Sequence, residues 1–248
     1  MPGVGVRGGA TRLWLAGRTS AAGRGGGGVE FRVVRDLLPE IVVVEVAGED
    51  DWTGVLLPDE AAGLSPRAVD GRRREYTAGR VCARRALSRV GVHGAPVLSA
   101  PSRAPVWPAG TTGSITHTKG YCAVAVGRAP ELRAVGIDAE RRTVLPANIV
   151  ASICLPEEIA WCAERADEPW WPAVHFSAKE TVYKMWSPIM GTWLDFHDAR
   201  LSIDPVNGTF EAAILPEKLD QEPGAPAVFR GRFAVEPDLI RTAGYITR

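Results

Sequence analysis

Lysine is scarce in this 248-residue chain: Lys119, Lys179, Lys184 and Lys218 stand against 25 Arg. A surplus of either sign is also missing, since Lys+Arg and Asp+Glu both total 29. That balance excludes a generically basic nucleic-acid binder and an acidic solvating tail. No apolar run approaches the roughly 18 residues that a membrane helix needs, so no membrane partner is expected. The four Cys (Cys82, Cys122, Cys154, Cys162) show neither CxxC spacing nor a dense framework. They read as reduced thiols of a cytosolic protein, and the localisation expected is cytoplasmic. Acid is absent from residues 1–29, which hold four Arg and ten Gly. Because so Gly-rich a segment cannot offset its ordering entropy, that leader reads as a disordered extension or an over-long translation start. The remaining body is mildly acidic, with 25 basic against 29 acidic residues.

What is present is an ordinary globular composition, 46% apolar and 23% charged, long enough for one large domain or two intimate halves. Ile41–Val46 reads as a buried strand and Pro66–Val90 as a helix stopped by Gly91. Residues 94–113, rich in Pro and Gly, read as a long ordered loop. Ser114–Thr116, Tyr121–Val126 and Arg133–Asp138 read as strands, and Pro156–Ala166 and Pro172–Trp186 as helices with Pro in the first turn. The last fifty or so residues turn to β, over Ala199–Ile203, Thr209–Leu215, Val228–Val235 and Ile240–Thr247. Asn207-Gly208 supplies a hairpin turn between the first two. Strands and helices in separate stretches make this an α+β pattern.

Four constellations could carry chemistry. In Gly136-Ile137-Asp138-Ala139-Glu140, the two carboxylates share a strand face if the strand runs on. A hard cation such as Mg²⁺ would relieve their repulsion, whereas a solvated strand end with Glu140 paired to Arg141 or Arg142 is the plainer reading. In Ser177-Ala178-Lys179-Glu180-Thr181-Val182-Tyr183-Lys184, Glu180 and Lys184 lie four apart, an ordinary helix pair, and Ser177 with Glu180 could be a capping box. Half of the chain's Lys fall here, five residues apart, in a protein that otherwise uses Arg. A compact ammonium with an adjustable pKa suits phosphate contact or proton transfer. His117, in Ser114-Ile115-Thr116-His117, is either a structural hydrogen-bonder or a site residue. Arg72 to Arg80 is either a solvated charge run or a bidentate phosphate binder.

Taken in order, the Arg-rich helix with Gly79-Arg80-Val81-Cys82-Ala83-Arg84, the Trp107-Pro108 loop, Ser114-Ile115-Thr116-His117, Gly136-Ile137-Asp138-Ala139-Glu140 and the Lys179-Glu180…Lys184 helix resemble one family. It is the 4′-phosphopantetheinyl transferases, in their monomeric surfactin- and enterobactin-synthase-activating form, and most of all the actinobacterial enzymes. The likeness runs from about residue 31 to the C-terminus. It implies two similar α/β halves related by a pseudo-twofold, residues 30–130 and 131–248, behind the leader 1–29, with coenzyme A in the cleft between them. It implies transfer of the phosphopantetheine arm of coenzyme A to a serine of apo acyl or peptidyl carrier proteins, with release of adenosine 3′,5′-bisphosphate. Siderophore-type peptide synthetases or polyketide synthases are the carriers expected. By the same resemblance Asp138, Glu140 and Glu180 hold Mg²⁺, with Mn²⁺ as the alternative ion. Arg72, Arg80, His117, Lys179 and Lys184 contact the phosphates of coenzyme A, Glu180 acts as base, and Lys184 assists the leaving group. Thr116 stands where many relatives have Ser. Ser99 stands where some carry a cationic nucleotide contact, which nearby Arg103 could replace.

Two other classes share parts of this pattern. A non-catalytic carrier or coenzyme-A binding module would keep the fold but has no need of the metal cluster. A metal-dependent phosphohydrolase would share the carboxylates but does not call for the Lys helix beside the Arg helix and histidine strand. Intact mass of an apo-carrier domain after incubation with coenzyme A and Mg²⁺ separates the three.

Overall fold

A computed structural model describes residues 34–248, and the leader read as a disordered extension lies outside the described residues. The strands, in chain order, are β1 (Val43–Val46), β2 (Leu98–Ser99), β3 (Pro105–Val106), β4 (Thr111–Thr118), β5 (Tyr121–Arg128), β6 (Leu132–Arg141), β7 (Ala199–Asp204), β8 (Thr209–Ile214), β9 (Val228–Val235) and β10 (Leu239–Thr247). The helices are α1 (Pro58–Ala62), α2 (Asp70–Arg89), α3 (Ala147–Ile153), α4 (Pro156–Ala163), α5 (Trp171–Met190) and α6 (Pro216–Gln221). All pairings are antiparallel, in a three-stranded sheet β1-β5-β4, a five-stranded sheet β6-β10-β9-β8-β7 and the small β2-β3 hairpin. This is the α+β architecture that the segregated pattern predicts.

Each large sheet is covered by one 20-residue helix. Helix α2 sets Cys82, Ala83, Ala86 and Leu87 against Val124 and Val126 of β5, all at most 1% exposed. Arg85 on its other flank clamps Glu45 of β1 at 2.6 Å and Asp51 at 2.9 Å. Helix α5 buries Ala178, Val182, Met185 and Trp186 against Ala134, Phe229 and Ile240 of the larger sheet. Full burial of each large apolar side chain contributes about 1.5–3 kcal/mol.

The two sheets meet at one seam, β4 beside β6. Ser114 and Thr116 lie two apart on β4, so their hydroxyls leave the same face. Ser114 Oγ accepts from the Ile137 N–H at 3.1 Å and Thr116 Oγ1 from the Ala139 N–H at 3.0 Å. Side-chain oxygens thus satisfy backbone donors that the edge of β6 would otherwise leave unpaired. On the far side of β6, Gly136 lets α5 approach: a Cβ there would collide with the Thr181 carbonyl oxygen. Arg241 of β10, fully buried, pairs with Glu236 and lies 4.7 Å from the ring centre of Tyr121 on β5, a second tie between the sheets.

Helix boundaries differ from the sequence reading for local reasons. Helix α2 starts at Asp70 rather than Pro66, because Arg73 folds back to donate to the carbonyls of Ala68 (2.9 Å) and Pro66 (2.6 Å), holding the lead-in as a turn. Helix α4 ends at Ala163, three residues early. Helix α5 continues through Pro188 to Met190 and stops at Gly191, whose φ of 70° is left-handed.

Candidate active site

Asp138 sits on β6 between the β4 seam and α5 and is 5% exposed. Both of its oxygens are engaged. Oδ1 accepts from Thr116 Oγ1 at 3.1 Å and Lys184 Nζ at 2.6 Å, and Oδ2 from Ser177 Oγ at 2.8 Å. Strand β6 continues to Arg141, so Glu140 does share a face with Asp138. Helix α5 begins at Trp171, which puts Ser177 in its interior and removes the capping-box reading. Lys184 reaches across to Asp138 and the Ile137 carbonyl (3.1 Å) instead of forming the helix pair with Glu180.

Three carboxylates press on one another here. Burial pushes the Glu140 carboxyl up to about 7, and the Asp138 and Glu180 charges add to the rise while Lys184 opposes it. Burial raises Glu180 as well; Lys184 draws it back and Asp138 pushes it further. One ammonium thus faces three carboxylates, an excess of negative charge that a divalent cation would relieve. Among the described residues no three such groups already enclose a metal-sized space, and Lys184 holds the position nearest Asp138. The oxygen-only donor set fits a hard cation.

A cleft of about 770 Å³ opens beside this cluster, walled by Arg67, Arg72, Arg80, Arg103, Tyr76 and His117. Arg72 Nη1 lies 3.2 Å from His117 Nε2, and Glu75 lies 3.6 Å from the other ring nitrogen. Burial lowers the His117 pKa; Glu75 and Asp138 act against that, and Arg72 and Lys184 act with it. Arg80 is 5% exposed, lies over the Tyr76 ring at 4.3 Å and donates to Ser99 Oγ at 2.8 Å. Its Nε has no partner among the described residues. A buried guanidinium with a donor to spare suits an anion at the cleft wall. Ser99 therefore orients Arg80. Arg103 takes a left-handed φ of 69° at the β2-β3 turn, a strained conformation for a residue with a Cβ.

Arg103, Pro105 and Ile115 also line a second cavity of about 480 Å³ that ends on Glu180 and Lys184. Trp107 and Tyr183 form part of its wall. The Arg cleft and the cavity at Glu180 and Lys184 are thus neighbours that share three wall residues. Tyr183 could have been anticipated, since it lies between Glu180 and Lys184. Ser177 and Arg67 gave no such signal.

Lys179 corrects the sequence reading. It is expected at the phosphates, but it points the other way and is 3% exposed. Its Nζ donates to Glu158 (2.7 Å) and to the carbonyls of Ile153 and Phe196 (2.9 Å each), which uses all three protons. It faces away because, one position before Glu180, it is turned about 100° around the helix.

Two family models match: "4′-phosphopantetheinyl transferase N-terminal domain" over residues 59–127 and "4′-phosphopantetheinyl transferase superfamily" over residues 134–224. The chain is 41% identical over 224 residues to the 4′-phosphopantetheinyl transferase Svp of Streptomyces mobaraensis, covering 85% of this chain and 88% of that protein. It is 37% identical over 225 residues to the 4′-phosphopantetheinyl transferase PptT of Mycobacterium tuberculosis, covering 85% and 96%. It is 34% identical over 122 residues to the enterobactin synthase component D of Salmonella typhi, covering 47% of this chain and 49% of that one.

Proposed function

The chain belongs to the 4′-phosphopantetheinyl transferases, an enzyme class, and from that premise we propose how its site performs the transfer. The substrates are coenzyme A and the serine of an apo acyl or peptidyl carrier domain of a siderophore-type peptide synthetase or a polyketide synthase. The serine oxygen attacks the phosphorus that bears the pantetheine arm. A new P–O bond forms, the diphosphate P–O bond breaks, and adenosine 3′,5′-bisphosphate leaves with the electron pair.

The observation that carries this reading is the adjacency of the Arg cleft to the cavity lined by Trp107, Tyr183, Glu180 and Lys184, the two sharing Arg103, Pro105 and Ile115. In the cleft, Arg72, Arg80 and His117 hold the nucleotide phosphates, with Arg103 in place of the cation that Ser99 lacks. The second cavity takes the pantetheine arm. Asp138, Glu140 and Glu180 would hold Mg²⁺, which would supply charge neutralisation at the diphosphate. Glu180 takes the serine proton, and burial, which raises its carboxyl above the ordinary range, favours its taking one up. Lys184, freed from Asp138, stabilises the departing bisphosphate. Lys179 has no part in phosphate contact.

This reading also takes residues 30–130 and 131–248 as the two halves flanking the cofactor, and the enzyme as a cytoplasmic monomer. No helix among the described residues is long and apolar enough to cross a membrane. The test is an intact mass of an apo-carrier domain after incubation with the full chain, coenzyme A and Mg²⁺. A phosphopantetheinyl adduct is expected. Binding without an adduct, or free hydrolysis of coenzyme A, would overturn the proposal.

A further inference from the structure

We propose that Ser177, backed by Thr242 and Thr181, is a positioning residue that locks the Asp138 carboxylate in place as a divalent-cation ligand. The inference rests on the cation reading given above and adds residues to it. Ser177 Oγ donates to Asp138 Oδ2 at 2.8 Å. Thr242 Oγ1 of β10 lies 2.9 Å from Ser177 Oγ and 2.9 Å from the Ser177 carbonyl oxygen, and Thr181 Oγ1 lies 2.7 Å from Thr242 Oγ1. Ser177, Thr181 and Thr242 are fully buried.

Each hydroxyl has one proton to give, and an ionised carboxylate has none. The carboxylate therefore fixes Ser177 as the donor to Asp138, while the one Thr242 proton has the Ser177 carbonyl and Ser177 Oγ both in reach, so that Thr242 braces Ser177 at its backbone and its side chain. Serine inside a helix commonly turns back to its own preceding turn. This one turns outward to a strand, and its backing comes from a third element, so α5, β10 and β6 are tied at one carboxylate.

The remaining oxygen of Asp138 is held by Thr116 and by Lys184, and of these Lys184 is the more exposed, at 24%. Thr116 is itself fixed, because its Oγ1 accepts from the Ala139 N–H. Asp138 is thus held by hydroxyls on both oxygens, with one partly exposed cation, Lys184, on Oδ1. The arrangement would keep the carboxylate still if a divalent cation took the place of Lys184. Groups that orient a ligand in this way typically matter about 10–100-fold in metal affinity.

The experiment measures Mn²⁺ binding to the full chain without coenzyme A, by the loss of the free-ion electron paramagnetic resonance signal. The variants are Ser177→Ala, Thr242→Val and Thr242→Ser, with melting temperatures recorded alongside. Ser177→Ala is expected to weaken Mn²⁺ binding about tenfold or more. Thr242→Val, which keeps the shape and removes the hydroxyl, weakens it by a smaller factor, and Thr242→Ser restores it. In the transfer assay the KM for Mg²⁺ rises in step, while kcat at saturating Mg²⁺ falls less. Wild-type Mn²⁺ affinity in folded Thr242→Val and Ser177→Ala would overturn the positioning role alone. A wild-type chain that binds no Mn²⁺ would overturn the cation reading beneath it.

Discussion

Helix α5 carries two lysine–carboxylate pairs with nearly the same length and opposite uses. Lys179 meets Glu158 at 2.7 Å, with side chains 2% and 1% exposed. Lys184 meets Asp138 at 2.6 Å, with side chains 24% and 6% exposed. The first pair is closed. Lys179 has three acceptors, and Glu158 also accepts the N–H groups of Leu155 (2.8 Å) and Leu201 (2.6 Å). The charges balance, nothing is left to bind, and the result joins α3, α4, α5 and β7. The second pair is open, because Glu140 and Glu180 add two carboxylates without adding a cation. The contact distance does not distinguish a fastening from a reactive site. The local charge balance and the remaining access do.

The closed pair should show the largest effect on stability. Lys179→Met leaves Glu158 buried without its counter-charge, which costs about 3–5 kcal/mol. A melting temperature lower by about 10 °C is expected for a chain of this size. A drop of only a degree or two, with transfer strongly reduced, would place Lys179 at the phosphates after all. At the open pair the expected effect is on rate. Asp138→Asn keeps the shape and removes the charge, so transfer should fall about 10²–10³-fold, equivalent to about 2.7–4 kcal/mol, while the chain stays folded. Transfer at the wild-type rate in the intact-mass assay would break the contrast from the other side.

The difference between the two pairs was only half legible in the sequence. The strand Val228–Val235 and the turn at Asn207-Gly208 were readable, because alternation and a positive φ are local properties, and Gly208 has a φ of 62°. Asp138 and Glu140 were readable as a pair for the same reason. The short helices Pro58–Ala62, Ala147–Ile153 and Pro216–Gln221 were not, since five to seven residues hold too little periodicity. The Pro- and Gly-rich loop hid the β2-β3 hairpin, because Pro105 is a poor strand residue. Lys179 was misread because the scarcity of Lys marked it and Lys184 alike. What separates them is Glu158, 21 residues earlier, and the backbone carbonyls of Ile153 and Phe196. Partners brought in by tertiary folding leave no mark on local spacing. The hydroxyls of Ser177 and Thr242 were invisible for that reason too, being 65 residues apart.

A smaller change tests what Lys184 contributes beyond charge. Lys184→Arg retains the cation, but the planar guanidinium is broader than an ammonium and does not release a proton. Transfer should fall about tenfold, about 1.4 kcal/mol, with little change in melting temperature. Wild-type turnover would show that positive charge alone suffices at that position.

The mildest test reads the excess negative charge directly, without any substrate. The Glu140 carboxyl is pushed from its ordinary 4.5 up to about 7 by burial first and by Asp138 next. Between those values the folded chain keeps a proton that the unfolded chain has released. Its contribution to stability is therefore fully present below pH 4.5 and is lost as pH rises through 7. Glu140→Gln has no proton to lose, so its melting temperature relative to wild type should climb by a few degrees across that window and level off above it. Glu180 also moves upward and presses on Glu140, so the difference between the two melting curves reads Glu140 together with that mutual repulsion. Thermal melts in metal-free buffer from pH 4.5 to 8 make the measurement. A difference that stays constant with pH would mean that Glu140 is solvated, and the open pair would then have lost one of the two uncompensated charges that set it apart from Lys179 and Glu158.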